Sequence, residues 1–328
     1  MVSSRCRRSS GKSGLPFVTR PTEPDRTSLL QRGAAVVSLR DTASTRIWGL
    51  GIRLRNLAKR LGVLGPVEPV LLKLAPLLIR PPAHEVQVVL AGDMTMVVPP
   101  GFPSARSYAA GLYEPDLTAL FEDTVKQGMT VVDVGANVGY YSLIGSRLVG
   151  SSGRVYSFEP DPRNFAYLQR NLETNGCKNA VPVRKAVSHS TGSATFVVDR
   201  HGAEGHLASP SRASSATTEV ETVSLDDFFA AQGWPAVDVI KMDIEGGEPA
   251  ALHGMSGLAH RSPRLQVVME FNLPSLQRAG TSREALVDLL EQLGFRTGSV
   301  VEEGLRPFSL ASGFPTTRAT YNLLLRRD

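Results

Sequence analysis

Residues 131–142 read VVDVGANVGYYS. Val131, Val132 and Val134 make an apolar, β-branched run interrupted by one acid, Asp133, and Gly135 and Gly139 then open a loop that leads into a helix-compatible segment. A strand passing through glycines into a helix is the first turn of a doubly wound α/β sheet, in which ligands bind beyond the carboxyl ends of the strands. The rest of the chain repeats the alternation. Strands are predicted at 129–134, 154–159, 180–187, 237–243, 264–271 and 319–326. Helices are predicted near 138–149, 162–175, 225–232 and 281–293, with a short one after Gly247. The fold class is therefore α/β, Rossmann-like, with a mostly parallel sheet and helices on both faces. The last strand is expected to insert antiparallel.

The loop's chemistry narrows the ligand. A nucleoside triphosphate cradle needs a Lys-Ser/Thr pair after its glycines, and here Gly139 is followed by Tyr140 and Tyr141. A dinucleotide fingerprint needs G-x-G-x-x-G, whereas this loop reads D-x-G-x-N-x-G with Asn137 where the central glycine would stand. An acid before the loop suits a cationic group, and the helix N-terminus beginning near Val138 suits a carboxylate. S-adenosylmethionine carries both, with its ammonium expected at Asp133 and its carboxylate at the loop amides. Glu159, in VYSFEPDP (155–162), follows Gly139 by 20 residues and ends the next strand, where a carboxylate can accept both hydroxyls of a ribose. Asp161 before Pro162 reads as a helix N-cap.

Of 328 residues, 42% are hydrophobic and 20% charged, the balance of a globular chain that can bury a core. Cys6 and Cys177 alone exclude a disulfide framework or a cysteine-rich metal site, which favours a reducing, cytoplasmic compartment. The net charge of +5 is uneven: residues 1–80 hold 15 Lys/Arg against 4 Asp/Glu, and the remainder 21 against 27. Residues 1–45, rich in Ser, Arg, Thr, Gly and Pro, read as a disordered basic tail. Residues 46–85 read as an amphipathic helical extension in which Ile47, Leu50, Leu54 and Leu57 share a face opposite basic side chains. That pattern suits packing on the main domain or peripheral contact with the inner face of a membrane. Glu68, Lys73 and three prolines interrupt the apolar stretch 61–79, so no spanning helix is predicted. Arginines without a following apolar core in the first 30 residues argue against an export signal. The segment 200–218, small and polar, is expected to be a mobile lid, with His201 and His206 candidates for touching substrate.

Five segments carry a family resemblance: GLYEPDL (111–117), VVDVGANVGYYS (131–142), VYSFEPDPRNFAYLQRNLETNG (155–176), KAVS (185–188) and VDVIKMDIEGGEPAALHGM (237–255). In these the chain resembles the FkbM-type methyltransferases, a branch of the class I S-adenosylmethionine-dependent enzymes, over residues 86–328. The resemblance implies a seven-stranded sheet, S-adenosylmethionine as cofactor, and methylation of a hydroxyl on a sugar, glycolipid, glycan or secondary metabolite. It assigns Asp133, Gly135, Asn137 and Gly139 to the methionine end, Glu159 to the ribose, Ala186 to the adenine wall, and Asp243 to the transfer site.

Methyl transfer to an alcohol needs an aligned oxygen and a group that takes its proton. Asp243, Glu245 and Glu248 in MDIEGGE, and Glu270 in VVMEFN, are the candidates. Asp243 and Glu245 share a side if the strand runs on through residue 245; these two are taken as the catalytic pair, with no metal assigned. Glu248 can instead serve the first turn of a helix, and Glu270 can anchor a loop. Tyr113 and Tyr140 are candidates for the pocket wall. Two competing functions stay open. One is an RNA 2′-hydroxyl methyltransferase, encouraged by the basic N-terminus, although DIEG replaces the Asn/Asp-Pro-Pro-aromatic turn of base-amine methylation. The other is a noncatalytic cofactor-binding module.

Overall fold

The computed structural model describes residues 37–38, 84–109, 111–198, 205–207, 216–314 and 319–327. The basic tail, the amphipathic extension 46–60 and His201 thus lie outside the described residues, apart from the two-residue strand β1 (Val37–Ser38). A hairpin, β2 (Val86–Val89) and β3 (Thr95–Val98), precedes α1 (Ala105–Ala109) and α2 (Pro115–Thr124). Then come β4 (Thr130–Val134), α3 (Tyr140–Val149), β5 (Arg154–Phe158), α4 (Pro162–Thr174) and β6 (Ala180–Val183). The strands β7 (Ala186–Val187), β8 (Gly192–Val197), β9 (His206–Leu207) and β10 (Thr217–Val223) follow, ending in α5 (Leu225–Ala231). After β11 (Val239–Met242) the chain forms α6 (Glu248–His253), α7 (Ser256–Arg261), β12 (Gln266–Asn272), α8 (Leu273–Arg278) and α9 (Arg283–Gln292). It closes with β13 (Phe295–Val300), β14 (Arg306–Ser309) and β15 (Thr320–Arg327).

The main sheet has eight strands in the order β14-β13-β15-β12-β11-β4-β5-β6. Pairing is parallel from β12 through β6 and antiparallel wherever β15 or β14 takes part. The first seven expected strands of the family plan are therefore present, the last one inserted antiparallel between β12 and β13, with β14 added as an eighth on the edge. Strand β13 lay hidden in sequence because FRTGSV has no clean alternation. The single strand expected at 180–187 is two: after β6 the chain leaves the main sheet, and β7 joins a second sheet ordered β7-β10-β8-β9.

Buried parallel strands expose no polar face, and the side chains divide by parity. Val132, Val134, Ile240, Met242, Val267 and Met269 enter one apolar layer; Val131, Val239 and Val268 enter the other with Leu143 and Phe121. Asp133 and Lys241, in register across β4 and β11, fall on this second face. The chain reverses direction between these two neighbours: β4 leads on to β5 at one side, and the chain returns to lay β11 at the other. That reversal opens the crevice at the strands' carboxyl ends.

Asn171 ties the hairpin to this crevice. Fully buried on α4, its side chain accepts from the Val97 amide and donates to the carbonyls of Val97 and Val138, at 2.8 to 2.9 Å. Asn171→Ala would orphan three buried backbone groups, and a loss of about 3 kcal/mol in unfolding free energy is expected by urea titration; a loss below about 1 kcal/mol would show the hairpin to be independent of the crevice.

Candidate active site

The crevice is walled by strand ends and the turns after them and, on another side, by α1 and the segment leading to α2. The loop after β4 turns through Gly135 and Asn137, both with positive φ, and Gly139 caps α3 in the left-handed region. A methyl group on Gly135 would run into the backbone carbonyl of Asp243 and the Ile244 side chain, so only glycine lets the β4 and β11 ends approach this closely. Glu159, just beyond β5, accepts from the Asn137 amide at 2.8 Å and from the Asp161 amide at 2.9 Å. Its carboxyl thus holds the glycine loop in shape. Asp161 caps α4 through the amides of Arg163 and Asn164, as expected.

The turn after β11 is closed by its own acid. Glu248, at the first position of α6 and buried, accepts from the amides of Ile244 and Gly246 at 3.0 and 2.9 Å. Strand pairing has already ended at Met242, and Glu245 sits in the left-handed region at φ 54°. The reason given for grouping Asp243 with Glu245, a continuing strand, is therefore wrong. The grouping itself holds, because the tight turn brings oxygens of Asp243, Glu245 and Glu270 within 4.8 Å of one another. Such a trio suits a hard divalent cation, and acids gather this way without one as well.

Charge is concentrated beneath and around this turn. The Lys241 ammonium, buried in the sheet, lies 3.1 Å from an Asp243 carboxylate oxygen and 5.1 Å from the Tyr141 ring centre. Burial pulls its pKa down, but Asp243, Asp133 and Glu114 together push it above the ordinary lysine value, so it stays charged. Burial raises Asp133 and Glu114, and Lys241 partly offsets this in both. Burial also lifts Glu159 to about 8 against the pull of its two backbone amides. Glu270 is likewise lifted to about 8, by burial and then by Asp243, Glu245 and Glu248. Glu248 reaches about 7, again mainly through burial.

The cleft, of about 290 Å³, is lined by five of the seven residues singled out for cofactor and catalysis other than Glu245: Gly135, Asn137, Glu159, Ala186 and Asp243; Glu245 lines it too. Asp133 and Gly139 do not. Asp133 is buried below the floor, where one oxygen accepts from the Ser142 hydroxyl at 2.6 Å and the other has no hydrogen-bond partner. Asp133 was expected to meet an ammonium directly; it does not face the cleft, and its charge bears on Lys241, one strand away. Gly139 packs against Leu168 and shapes the helix start. Of the tyrosines, Tyr113 and Tyr140 line the cleft as expected, joined by Tyr108, whose ring centre is 4.4 Å from that of Tyr113 and 4.8 Å from that of Tyr140. His206 belongs to the described part of the expected lid; it pairs in β9 against Val197 and lines the cleft. Residues 200–204 and 208–215 of that segment lie outside the described residues.

Lys241 and Glu114 are among the cleft residues that went unassigned from sequence. Lys241 was legible as one lysine inside the apolar strand VIKM, and Glu114 as an acid before a proline in GLYEPDL. Neither pattern says which way the side chain turns.

The residues present fit the expected cofactor on independent grounds. The Asn137 side-chain oxygen is buried without a partner, Glu159 lines the crevice, and Asp243, Asp133 and Glu114 act on the buried Lys241 ammonium. Strand order, the glycine turn after β4 and the acid after β5 define a class I S-adenosylmethionine-dependent methyltransferase fold. Within that class the Methyltransferase FkbM domain profile matches residues 133–297, half of the chain, and the protein belongs to this family, whose cofactor is S-adenosylmethionine.

Among curated relatives, hexuronic acid methyltransferase AglP of Haloferax volcanii is 28% identical over 144 residues, 44% of this chain and 56% of that protein. A protein-L-isoaspartate O-methyltransferase of Methanococcoides burtonii is 29% identical over 96 residues, 29% of this chain and 47% of the relative. The chain spans about half the length of these curated relatives. Among solved structures, a SAM dependent methyltransferase from Aquifex aeolicus aligns with 64% of this chain and 88% of its own at 17% identity, with a TM-score of 0.37. Aeropyrum pernix fibrillarin, solved with natively bound S-adenosyl-L-methionine, covers 62% and 68% at 16% identity, with a TM-score of 0.36.

The raised carboxyls fix the sign of a pH effect. Glu159 keeps its proton in the folded, cofactor-free protein up to about pH 8, while the unfolded chain releases it in the usual carboxylate range. Between these limits the folded state binds the extra proton, so stability falls as pH rises. Thermal melts of cofactor-free protein from pH 5 to 8 should show a falling midpoint, and Glu159→Gln should flatten part of that fall. An unchanged slope in the variant would mean that the two loop amides hold Glu159 ionised.

Proposed function

We propose that this protein transfers a methyl group from S-adenosylmethionine to a hydroxyl of a sugar, glycan, glycolipid or related small molecule. The observation that carries the reading is Asp243, which lines the cleft at the end of β11 while one of its oxygens is held by the Lys241 ammonium. The cofactor supplies a methyl group already activated on a sulfonium, so the protein's tasks are to align the acceptor oxygen and take its proton. Asp243 is the proton acceptor in this reading: Lys241 restrains one oxygen and leaves the other for the hydroxyl. Glu245 and Glu270 orient the acceptor by accepting its neighbouring hydroxyls, and the rings of Tyr108 and Tyr113 give a sugar an apolar face to lie against.

The charge of the cleft supports a neutral hydroxyl compound over the alternatives. Glu114, Asp243, Glu245 and Glu270 line it, and its two lysines, Lys241 and Lys185, are already engaged by Asp243 and Glu221. Carboxylates in this number oppose a phosphate backbone, which is bound through Lys and Arg. The same argument disfavours a uronate, so the acceptor in the name of the Haloferax relative is not carried over. A noncatalytic module would have no use for a charged lysine buried against an aspartate at the cleft.

A screen with methyl-labelled cofactor against neutral sugars and glycolipids, uronates and RNA should label the neutral class. Asp243→Asn should then lower kcat/KM by about 100-fold or more. Labelling of RNA alone would replace this reading by the 2′-hydroxyl one, and no labelling by protein that binds the cofactor would favour the noncatalytic module.

Among the described residues no helix is long and apolar enough to cross a membrane. Peripheral contact through the basic, amphipathic sequence 46–60 would suit a lipid-linked acceptor. Full-length protein should float with anionic liposomes and a chain starting at Pro82 should not; equal partitioning of the two would remove this part of the proposal.

A further inference from the structure

Glu114 occupies a position that its own helix does not explain. It immediately precedes α2, where an acidic side chain ordinarily caps the first turn, yet it forms no capping hydrogen bond and its backbone is left-handed, at φ 39° and ψ 60°. A non-glycine residue in this region carries a conformational cost. The side chain is instead turned into the crevice, where its carboxylate accepts from the Tyr141 hydroxyl at 2.8 Å.

Three carboxylates, Glu114, Asp133 and Asp243, surround the single ammonium of Lys241, and that ammonium is hydrogen-bonded to Asp243. Burial and the nearby Asp243 both make charge on Glu114 costly, and Lys241 offsets only part of the cost. The crevice around Glu114 is therefore short of positive charge. It is also walled by the rings of Tyr108, Tyr113 and Tyr140, whose π-faces attract cations. A cationic ligand centre would complete both arrangements.

We propose that Glu114 is a specificity-determining residue for the cofactor's charge: its carboxylate, beside the tyrosine rings, favours the sulfonium of S-adenosylmethionine over the neutral thioether of S-adenosylhomocysteine. Transfer of the methyl group removes the positive charge from sulfur, so the same residue that holds the substrate form of the cofactor gives up its attraction for the product form. This inference rests on the methyltransferase reading, and it adds that the donor and product are told apart by charge from the α2 side of the cleft.

Isothermal titration of the full-length protein with S-adenosylmethionine and S-adenosylhomocysteine, at low ionic strength, tests it without any acceptor. Wild-type protein should bind S-adenosylmethionine more tightly. Glu114→Gln, which keeps the oxygen that accepts from Tyr141, should weaken S-adenosylmethionine by about tenfold and leave S-adenosylhomocysteine within about twofold. Glu114→Asp, which keeps the charge, should retain most of the preference. The proposal is overturned by wild-type protein that favours the product, by a folded Glu114→Gln variant that loses both ligands equally or neither, or by an Asp variant as indifferent as the Gln variant. Wild-type protein that binds neither ligand would overturn the methyltransferase reading itself, whereas binding of both without discrimination would remove only the role of Glu114.

Discussion

The approach of β4 to β11 is the constraint on which the site depends. These strands pair in parallel register, Asp133 against Lys241, and the chain can turn away at Gly135 only because no side chain separates that residue from the Asp243 carbonyl. One close backbone contact therefore sets three things together: the width of the crevice, the placement of Asp243 at its wall, and the burial of a lysine between two acids. Isolated charges in a sheet interior would be destabilising; as a cross-strand set they compensate one another, and the surplus acid faces the cleft.

The glycine loop shows how recognition and folding share the same groups. Glu159 was expected to serve a ribose, and it does line the cleft, but in the cofactor-free protein its oxygens are already accepting from the Asn137 and Asp161 amides. Each oxygen has a second lone pair, so the two roles are compatible. A residue that lines the cleft is thus also the brace of its glycine loop. Glu248 does the same for the following turn, and its role is wholly structural: both of its oxygens serve the turn that presents Glu245.

Much of this was legible in the residues because local chemistry and global position agree there. Strand, glycine loop, helix and the acid 20 residues on are a local pattern, and they located the crevice together with Gly135, Asn137 and Glu159. The acids after β11 were legible as a group, but the reason was not: a strand was expected to continue where a left-handed Glu245 turns the chain. Three features were invisible because they depend on distant pairing. Asp133 was expected at the ligand, but it is buried below the cleft with the Ser142 hydroxyl on one oxygen. Glu114 gave no signal in sequence, because its left-handed backbone and its turn into the cleft are not local to the residue pattern. The strand expected at 180–187 broke in two because Thr222 and Val223 of β10, some 35 residues on, pair with Ala186 and Val187.

That break has an outcome for how the protein could be altered. Ala186 lines the cleft yet belongs to the small sheet of β7, β10, β8 and β9, whereas Gly135, Asn137, Glu159, Asp243 and Glu245 stand at strand ends and turns of the main sheet and Glu270 on its strand β12. The wall formed by Ala186, Val187, Phe196 and His206 is thus mounted on a different frame from the rest of the crevice. Such a division lets that wall be exchanged, among descendants or by a designer, while the glycine loop and the acids of the main sheet stay intact.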